Sequence, residues 1–239
     1  MLPGEDYTLK YSMVNNWVES FMRLIYPAEC GLCPWLLSLE ERLLCSACGL
    51  SLKAESLPPS DYPISHTLEY LDQAWSIFPY RGGVQQAIHE VKFRGKSSLL
   101  GIFKPFFPEA VSILRKYRYD ATIPIPISLK TKINRQFNPA ELIAGELALS
   151  LGMPVRKNIL WKKSGVESQS LLGKEERLAN LYGAFKIRTF RQVSEMRILL
   201  VDDVFTTGST ADEAARILKK NGACQVDLFT LARTQISQD

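Results

Sequence analysis

The stretch that most constrains this chain is Ile198-Leu-Leu-Val-Asp-Asp-Val-Phe-Thr-Thr-Gly-Ser-Thr210. Residues 197–201 are almost entirely aliphatic, as a strand buried on both faces requires. The run ends in two adjacent acids. Carboxylates there are costly unless they hold hydroxyls or a metal. In open α/β sheets, ligands sit beyond the carboxyl ends of the strands. Thr206, Thr207, Gly208, Ser209 and Thr210 follow and open a helix. Small residues let the backbone approach a ligand, and free N–H groups, hydroxyls and the positive helix end together bind a phosphate. One short loop therefore offers two acids for a vicinal diol and a cradle for a phosphate, and a ribose 5-phosphate carries both groups at that separation. An ordinary capped turn accounts for Thr210 and Gly208 but not for the acid pair.

Around this segment the pattern alternates. Strands are predicted at residues 74–80, 121–127, 155–161 and 225–231. Val84, Ala87, Ile88 and Val91 mark one helix face. Residues 101–117 read as helical in part, interrupted by Pro105 and Pro108. Asn138 as N-cap, Pro139 at the first helical position and Glu141 as capping-box partner mark another helix start. Thr210 with Glu213 predicts a second capping box, with Lys219 and Lys220 in the last turn before Gly222. Alternating strands and helices imply an α/β protein with a mainly parallel, doubly wound sheet. Before it, Val14, Trp17, Val18, Phe21, Leu24 and Ile25 repeat at helical spacing. The Pro- and Ser-rich residues 55–63 read as a linker. The expected division is 1–60, a helix and cysteine module, and 61–239, the α/β domain.

Cys30 and Cys33 form one C-x-x-C, and Cys45 and Cys48 form a second. Two such pairs a short loop apart read as a tetrahedral zinc site, structural because four thiolates leave no position for substrate. Two unrelated reduced pairs are the plain alternative. Cys224 reads as a small core residue rather than a nucleophile. The start of the chain lacks the pattern of a signal peptide and no stretch is long enough for a membrane span, which points to a soluble, cytoplasmic protein. Basic residues crowd between Arg81 and Arg135, which suits an anionic ligand as well as it suits a solvated surface. With only His66 and His89, no Gly-x-Ser-x-Gly elbow and no Walker lysine motif, a histidine-based hydrolase or a P-loop NTPase is a poor match.

The segment ending at Thr210 resembles the PRPP-binding motif of type I phosphoribosyltransferases. The chain beyond residue 20 resembles the ComF family, which joins a zinc knuckle to that fold. The features that carry the resemblance are the four cysteines, Val91-Lys-Phe-Arg-Gly95, Pro124-Ile-Pro-Ile127, Arg135-Gln-Phe-Asn138, Gln169 with Arg177 and Asn180, Gly183-Ala-Phe185 and the acidic loop. The resemblance implies that Asp202 and Asp203 bind ribose hydroxyls and that Val204 and Thr206 to Thr210 belong to the 5-phosphate loop. It implies that Lys92 lines the PRPP pocket, and that Arg135, with Lys130, meets the pyrophosphate. Residues 164–180 resemble the loop that closes over PRPP, with Arg177 as a catalytic member. Magnesium would accompany PRPP. Where the family has glycine, this chain has Gln136, and where it has glutamine, Pro139.

The resemblance implies an enzyme that transfers 5-phosphoribose from PRPP to an acceptor with release of pyrophosphate, in a setting of natural transformation and DNA uptake. It equally admits a non-catalytic protein that senses PRPP or binds single-stranded DNA through Phe93, Phe103, Phe106 and Phe107 and the basic stretch, acting with a competence helicase. A scaffold docking partners through its cysteine module is the third reading. Association into a homo-oligomer stays open.

Overall fold

A computed structural model of the chain describes residues 25–56, 68–163, 182–187 and 193–234. The predicted N-terminal helix, apart from Ile25, most of the predicted linker, and Gln169, Arg177 and Asn180 lie outside the described residues. The chain divides into two compact units that meet between Ala54 and Glu55.

The first unit is built around its cysteines. Glu29 and Leu36 pair across an antiparallel bridge, so Cys30 and Cys33 sit on the turn between them. The N–H of Cys30 donates to Trp35 O at 2.8 Å, and that of Gly31 to Leu43 O at 2.9 Å. The second pair lies at the start of helix α1 (Ser46–Glu55). Glu41 caps that start, accepting from the Ser46 hydroxyl and from the N–H groups of Ser46 and Ser38. The Ser46 hydroxyl is the strongest of the three, and together they hold the Glu41 carboxyl down at about 2.

The second unit holds a four-stranded parallel sheet in the order β1-β6-β5-β2, made of β1 (Gln73–Pro79), β6 (Gln225–Arg233), β5 (Arg197–Phe205) and β2 (Ala121–Pro124). Val155 extends it by a bridge to Thr122. Helix α2 (Gly82–Arg94) follows β1. A 3-10 segment (Ser97–Phe106), α3 (Phe107–Leu114), α4 (Leu129–Arg135) and α5 (Pro139–Leu151) come next, and α6 (Ser209–Lys220) joins β5 to β6. Ile198 and Leu200 enter an apolar cluster with Ala211, Ala214 and Leu218 of α6. Leu199 and Val201 leave the sheet on the other face, because side chains alternate along a strand. There α5 packs on β2 and β5. The sheet is thus covered on both sides, and β5 is buried as its aliphatic sequence requires.

Several expectations are corrected. β5 runs through Phe205 rather than ending at Val201, so both acids belong to the strand. The loop after β2 contains α4, which Ser128 caps by accepting from Thr131 N–H at 3.1 Å. The predicted strand 155–161 is a bridge at Val155 followed by β3 (Leu160–Lys162), which pairs antiparallel with β4 (Phe185–Ile187). This small separate sheet was invisible to a reading of period alone, because three-residue strands are too short to show one. Cys224 is exposed, its thiol directed at Glu195 O at 3.2 Å, and is not a core residue. Asn138 does cap α5, accepting from Ala140 N–H, and its amide donates to Ile125 O at 2.9 Å, which ties the helix start to the end of β2.

Candidate functional site

Asp202 and Asp203 leave β5 on opposite faces near the carboxyl end of the sheet. Asp203 is buried and meets the Lys92 ammonium at 2.7 Å. Lys92 lies in the last turn of α2, so this helix starts after β1 and reaches β5, two strands away, across the carboxyl ends. Asp202 accepts from the Asp203 N–H at 2.9 Å. Burial pushes its carboxyl up to about 7; the Asp203 charge adds to this, while Lys92, the Asp203 N–H and Lys162 pull the other way. Lys162 lies on β3, its ammonium 5.9 Å from the Phe185 ring centre. Burial lowers the pKa of Lys162, and the attraction of Asp202 opposes this. Lys92 therefore contacts the acid pair, and Lys162, from another element, attracts Asp202. Sequence reasoning missed Lys162; its only signal is a cation directly after Ile159-Leu160-Trp161.

The loop after β5 turns sharply. Gly208 is in the left-handed region at φ 78, and a Cβ there would lie 2.7 Å from Leu68 Cδ1 and 2.8 Å from two Phe205 ring atoms. Only glycine fits both restraints. Gly208 is the cap residue of α6 and provides no side-chain hydrogen bond. The first turn of a helix so capped keeps N–H groups available to an anion. Thr206 and Thr207 are exposed. The Thr207 and Ser209 hydroxyls lie 3.0 Å apart. Thr234 braces the loop through its N–H to Phe205 O and its hydroxyl to Thr206 O. Thr210 is inside the helix, so the predicted capping box with Glu213 does not form. Glu213 instead accepts from Gly183 N–H at 2.7 Å and pairs with Arg216 at 2.6 Å.

Lys130 and Arg135 lie on α4. Lys130 is exposed, and the Arg135 guanidinium stacks 5.0 Å from the Phe93 ring centre, with His89 against the same ring at 4.5 Å. Gln136 adopts φ 64 at the end of α4. It therefore occupies the left-handed conformation that the family's glycine would take without strain. Arg177 lies outside the described residues. Phe103 and Phe107 are buried and Phe106 packs edge-on against Phe78, so of the four phenylalanines proposed for a nucleic-acid surface only Phe93 is exposed. The basic stretch is not one patch either. Arg94 and Lys96 pair with Glu90, Lys104 with Glu146, and Arg115 donates to Ser150 O.

The sulfur atoms of Cys30, Cys33, Cys45 and Cys48 all lie within 4.8 Å of one another, and the Cys33–Cys45 separation is 3.7 Å. Tetrahedral zinc with Zn–S bonds of about 2.3 Å places sulfurs about 3.8 Å apart, so the cluster fits such an ion. Burial raises the Cys30 thiol, but backbone N–H groups of Cys45, Leu32 and Cys33 outweigh it and bring it down to about 7. Burial and the neighbouring thiols push Cys48 up. A metal cation would remove that mutual penalty.

The phosphoribosyl transferase domain model matches residues 139–239, which include the acid pair and its loop. Together with the parallel sheet, this makes the chain a protein of the type I phosphoribosyltransferase fold. A curated relative, the DNA utilization protein YhgH of Salmonella typhimurium, is 26% identical over 88% of this chain and 99% of its own length. Competence protein ComFC of Bacillus subtilis is 32% identical over 69% of this chain and 65% of its own. Competence protein F of Haemophilus influenzae is 33% identical over 48% and 50%. The chain is thus similar to competence-associated proteins and carries a phosphoribosyl transferase domain. A solved purine phosphoribosyltransferase from Pyrococcus horikoshii Ot3 aligns over 52% of this chain and 77% of its own, at 19% identity and a TM-score of 0.34. Among the described residues no helix is long and apolar enough to cross a membrane.

Proposed function

We propose that the carboxyl end of the sheet binds PRPP with magnesium and transfers its 5-phosphoribose to an acceptor. The observation that carries this reading is the junction of an acid pair with a helix start that Gly208 caps without a side-chain hydrogen bond. In this reading the loop Thr206 to Thr210, with Val204, holds the 5-phosphate. Asp202 and Asp203 accept from the ribose hydroxyls. Lys92 pairs with Asp203 and fixes the position of its carboxylate. Arg135 and Lys130 meet the pyrophosphate, and Arg177 closes over it. Magnesium supplies charge neutralisation on the pyrophosphate. The acceptor's nucleophilic atom bonds to C1 as the C1–O bond breaks and pyrophosphate leaves with the electron pair. The protein acts by positioning and by stabilising charge.

Relatives are named for competence and for DNA utilization; we extend this to a role in DNA uptake in the cytoplasm, with single-stranded DNA and a helicase as partners. The cysteine cluster takes structural zinc. A second reading, single-stranded DNA binding without turnover, is supported by the exposed Phe93 beside Arg135; it requires a steep fall in oligonucleotide affinity with salt. The enzyme reading is tested by following the phosphorus resonances of PRPP with magnesium against the full chain and a Gly208→Val variant. A 5-phosphate signal that responds to the wild type and not to Gly208→Val is expected. Equal response to both proteins would remove the loop from the site.

A further inference from the structure

The last turn of α2 makes contacts in two directions. Lys92 reaches Asp203 on β5 at 2.7 Å. Phe93, the next residue, has the Arg135 guanidinium over its ring, 5.0 Å from the centre. Arg135 is the last residue of α4, the helix that follows β2. Phe93 is 64% exposed, so burial in the core does not account for the ring. His89, four residues earlier on α2, packs against it at 4.5 Å with an interplanar angle of 39°. Residues four apart share a helix face, so the ring is steadied from its own helix. Gly95 closes α2 at φ 70, its N–H donating to Glu90 O, and Arg94 and Lys96 both pair with the Glu90 carboxylate. The turn that carries Lys92 and Phe93 is thus tied down at its end.

Arg135 is fixed by its backbone as well. Ser128 caps the start of α4, and Gln136 closes it with an N–H to Lys132 O at 2.8 Å. Asn138 then ties the chain to Ile125 O, one residue past β2. Among the described residues no carboxylate pairs with Arg135, in contrast to Arg94 and Lys96 beside it. A guanidinium stacked on a ring is held by its face, and the N–H donors along its edge stay available to an oxyanion. Bidentate donation from that edge is the strong form of phosphate recognition.

We infer that Phe93 is a positioning residue, which holds the Arg135 guanidinium by its face so that its edge donates to a pyrophosphate group. The inference rests on the PRPP reading above and adds to it a residue that need not touch the ligand. One turn of α2 then serves both halves of PRPP: Lys92 through Asp203 at the ribose, and Phe93 through Arg135 at the pyrophosphate. A ring already engaged by a guanidinium and an imidazole stacks on a nucleobase only by displacing one of them.

The test titrates magnesium pyrophosphate and, separately, ribose 5-phosphate into the full chain and its variants. The variants are Phe93→Leu, Phe93→Tyr, Arg135→Ala and the double variant Phe93→Leu/Arg135→Ala. Phe93→Gln is the second non-aromatic variant should Phe93→Leu fail to fold. Pyrophosphate should bind about three- to tenfold more weakly to Phe93→Leu and within about twofold of wild type to Phe93→Tyr, which keeps the aromatic face. Removing Phe93 from the Arg135→Ala protein should cost nothing further, since the two residues act as one unit. Ribose 5-phosphate affinity should be the same in all the proteins. Wild-type pyrophosphate affinity in Phe93→Leu, an additive loss in the double variant, or a parallel loss of ribose 5-phosphate binding would overturn the inference. So would pyrophosphate binding to none of the proteins. Weaker binding of single-stranded oligothymidylate to Phe93→Leu with pyrophosphate affinity unchanged would overturn it in favour of nucleobase stacking. Ribose 5-phosphate binding to none of the proteins, with the expected pyrophosphate pattern, would remove the PRPP reading and leave the Phe93–Arg135 unit standing.

Discussion

Among the described residues before Glu55, the buried apolar side chains are Cys30, Cys45 and Leu52. Behind Asp202 and Asp203, by contrast, lie Leu199, Leu200, Val201, Phe229 and Leu231, each almost wholly buried. Among the described residues 25–54 few apolar side chains are buried, and the four sulfurs are the groups gathered at the centre. The sheet has a large core and uses it to support a cost, an acid whose carboxyl is raised by burial. A small module without a sufficient core needs a crosslink or a metal. A large one can carry strained or charged groups at its functional edge.

The largest expected effect separates the two regions directly. Structural zinc contributes on the order of 10 kcal/mol to folding of small modules. Chelation should therefore make residues 25–54 susceptible to limited proteolysis while residues 68–163 and 193–234 stay protected. Equal protection of both regions after complete metal removal would show that the sulfurs need no ion. Metal analysis should give one zinc per chain.

The next effect concerns pH at the acidic edge. The Asp202 carboxyl is raised from its ordinary value near 4 to about 7, chiefly by burial and then by Asp203. Asp227, toward the amino end of the sheet, is raised to about 6, again chiefly by burial and also by Asp72, against hydrogen bonds from Tyr119 and Gln225. A raised acid binds its proton more tightly in the folded state, so its contribution to stability is fully present below the unfolded value and is lost as pH rises through the folded one. Stability of the sheet unit should decline from pH about 4 to about 7. Asp227→Asn should flatten the part of that decline below about 6 without altering ligand binding, and Asp202→Asn the part extending to about 7. PRPP affinity should move the opposite way, rising as Asp202 ionises. A ligand affinity that is flat across this window would detach Asp202 from binding.

The smallest effect is at Gln136. A left-handed conformation costs a residue with a Cβ about 1 kcal/mol relative to glycine. Gln136→Gly should raise stability by up to about 1 kcal/mol in chemical denaturation, partly offset by the greater freedom of glycine in the unfolded chain. A loss of stability would mean that the glutamine side chain makes a compensating contact.

Much of this architecture was legible in the sequence because strong local signals mark it. The aliphatic run at residues 197–201 and Asn138-Pro139 each have one physical explanation, and of the two that the cysteine spacing admits, the sulfur cluster favours the metal site. The extension of β5 through Phe205 was not legible, since two acids and a phenylalanine read as the start of a loop. Nor was the β3–β4 pair. The capping box at Thr210 failed because Gly208 turns the chain two residues earlier and Glu213 is engaged by Gly183 and Arg216. At the site, the acids and the loop followed from residue type. Lys162 and the Lys92–Asp203 pair did not, because they join segments far apart in sequence. Phe103 and Phe107 were misplaced on a surface because an apolar run has no inside until the fold supplies one.

The most direct test of the central claim is calorimetric titration of PRPP with magnesium into the full chain and into Asp202→Asn/Asp203→Asn. Binding by the wild type, lost in the double variant while its far-ultraviolet circular dichroism is unchanged, is the predicted result. Equal binding by both proteins, or by neither, would contradict it.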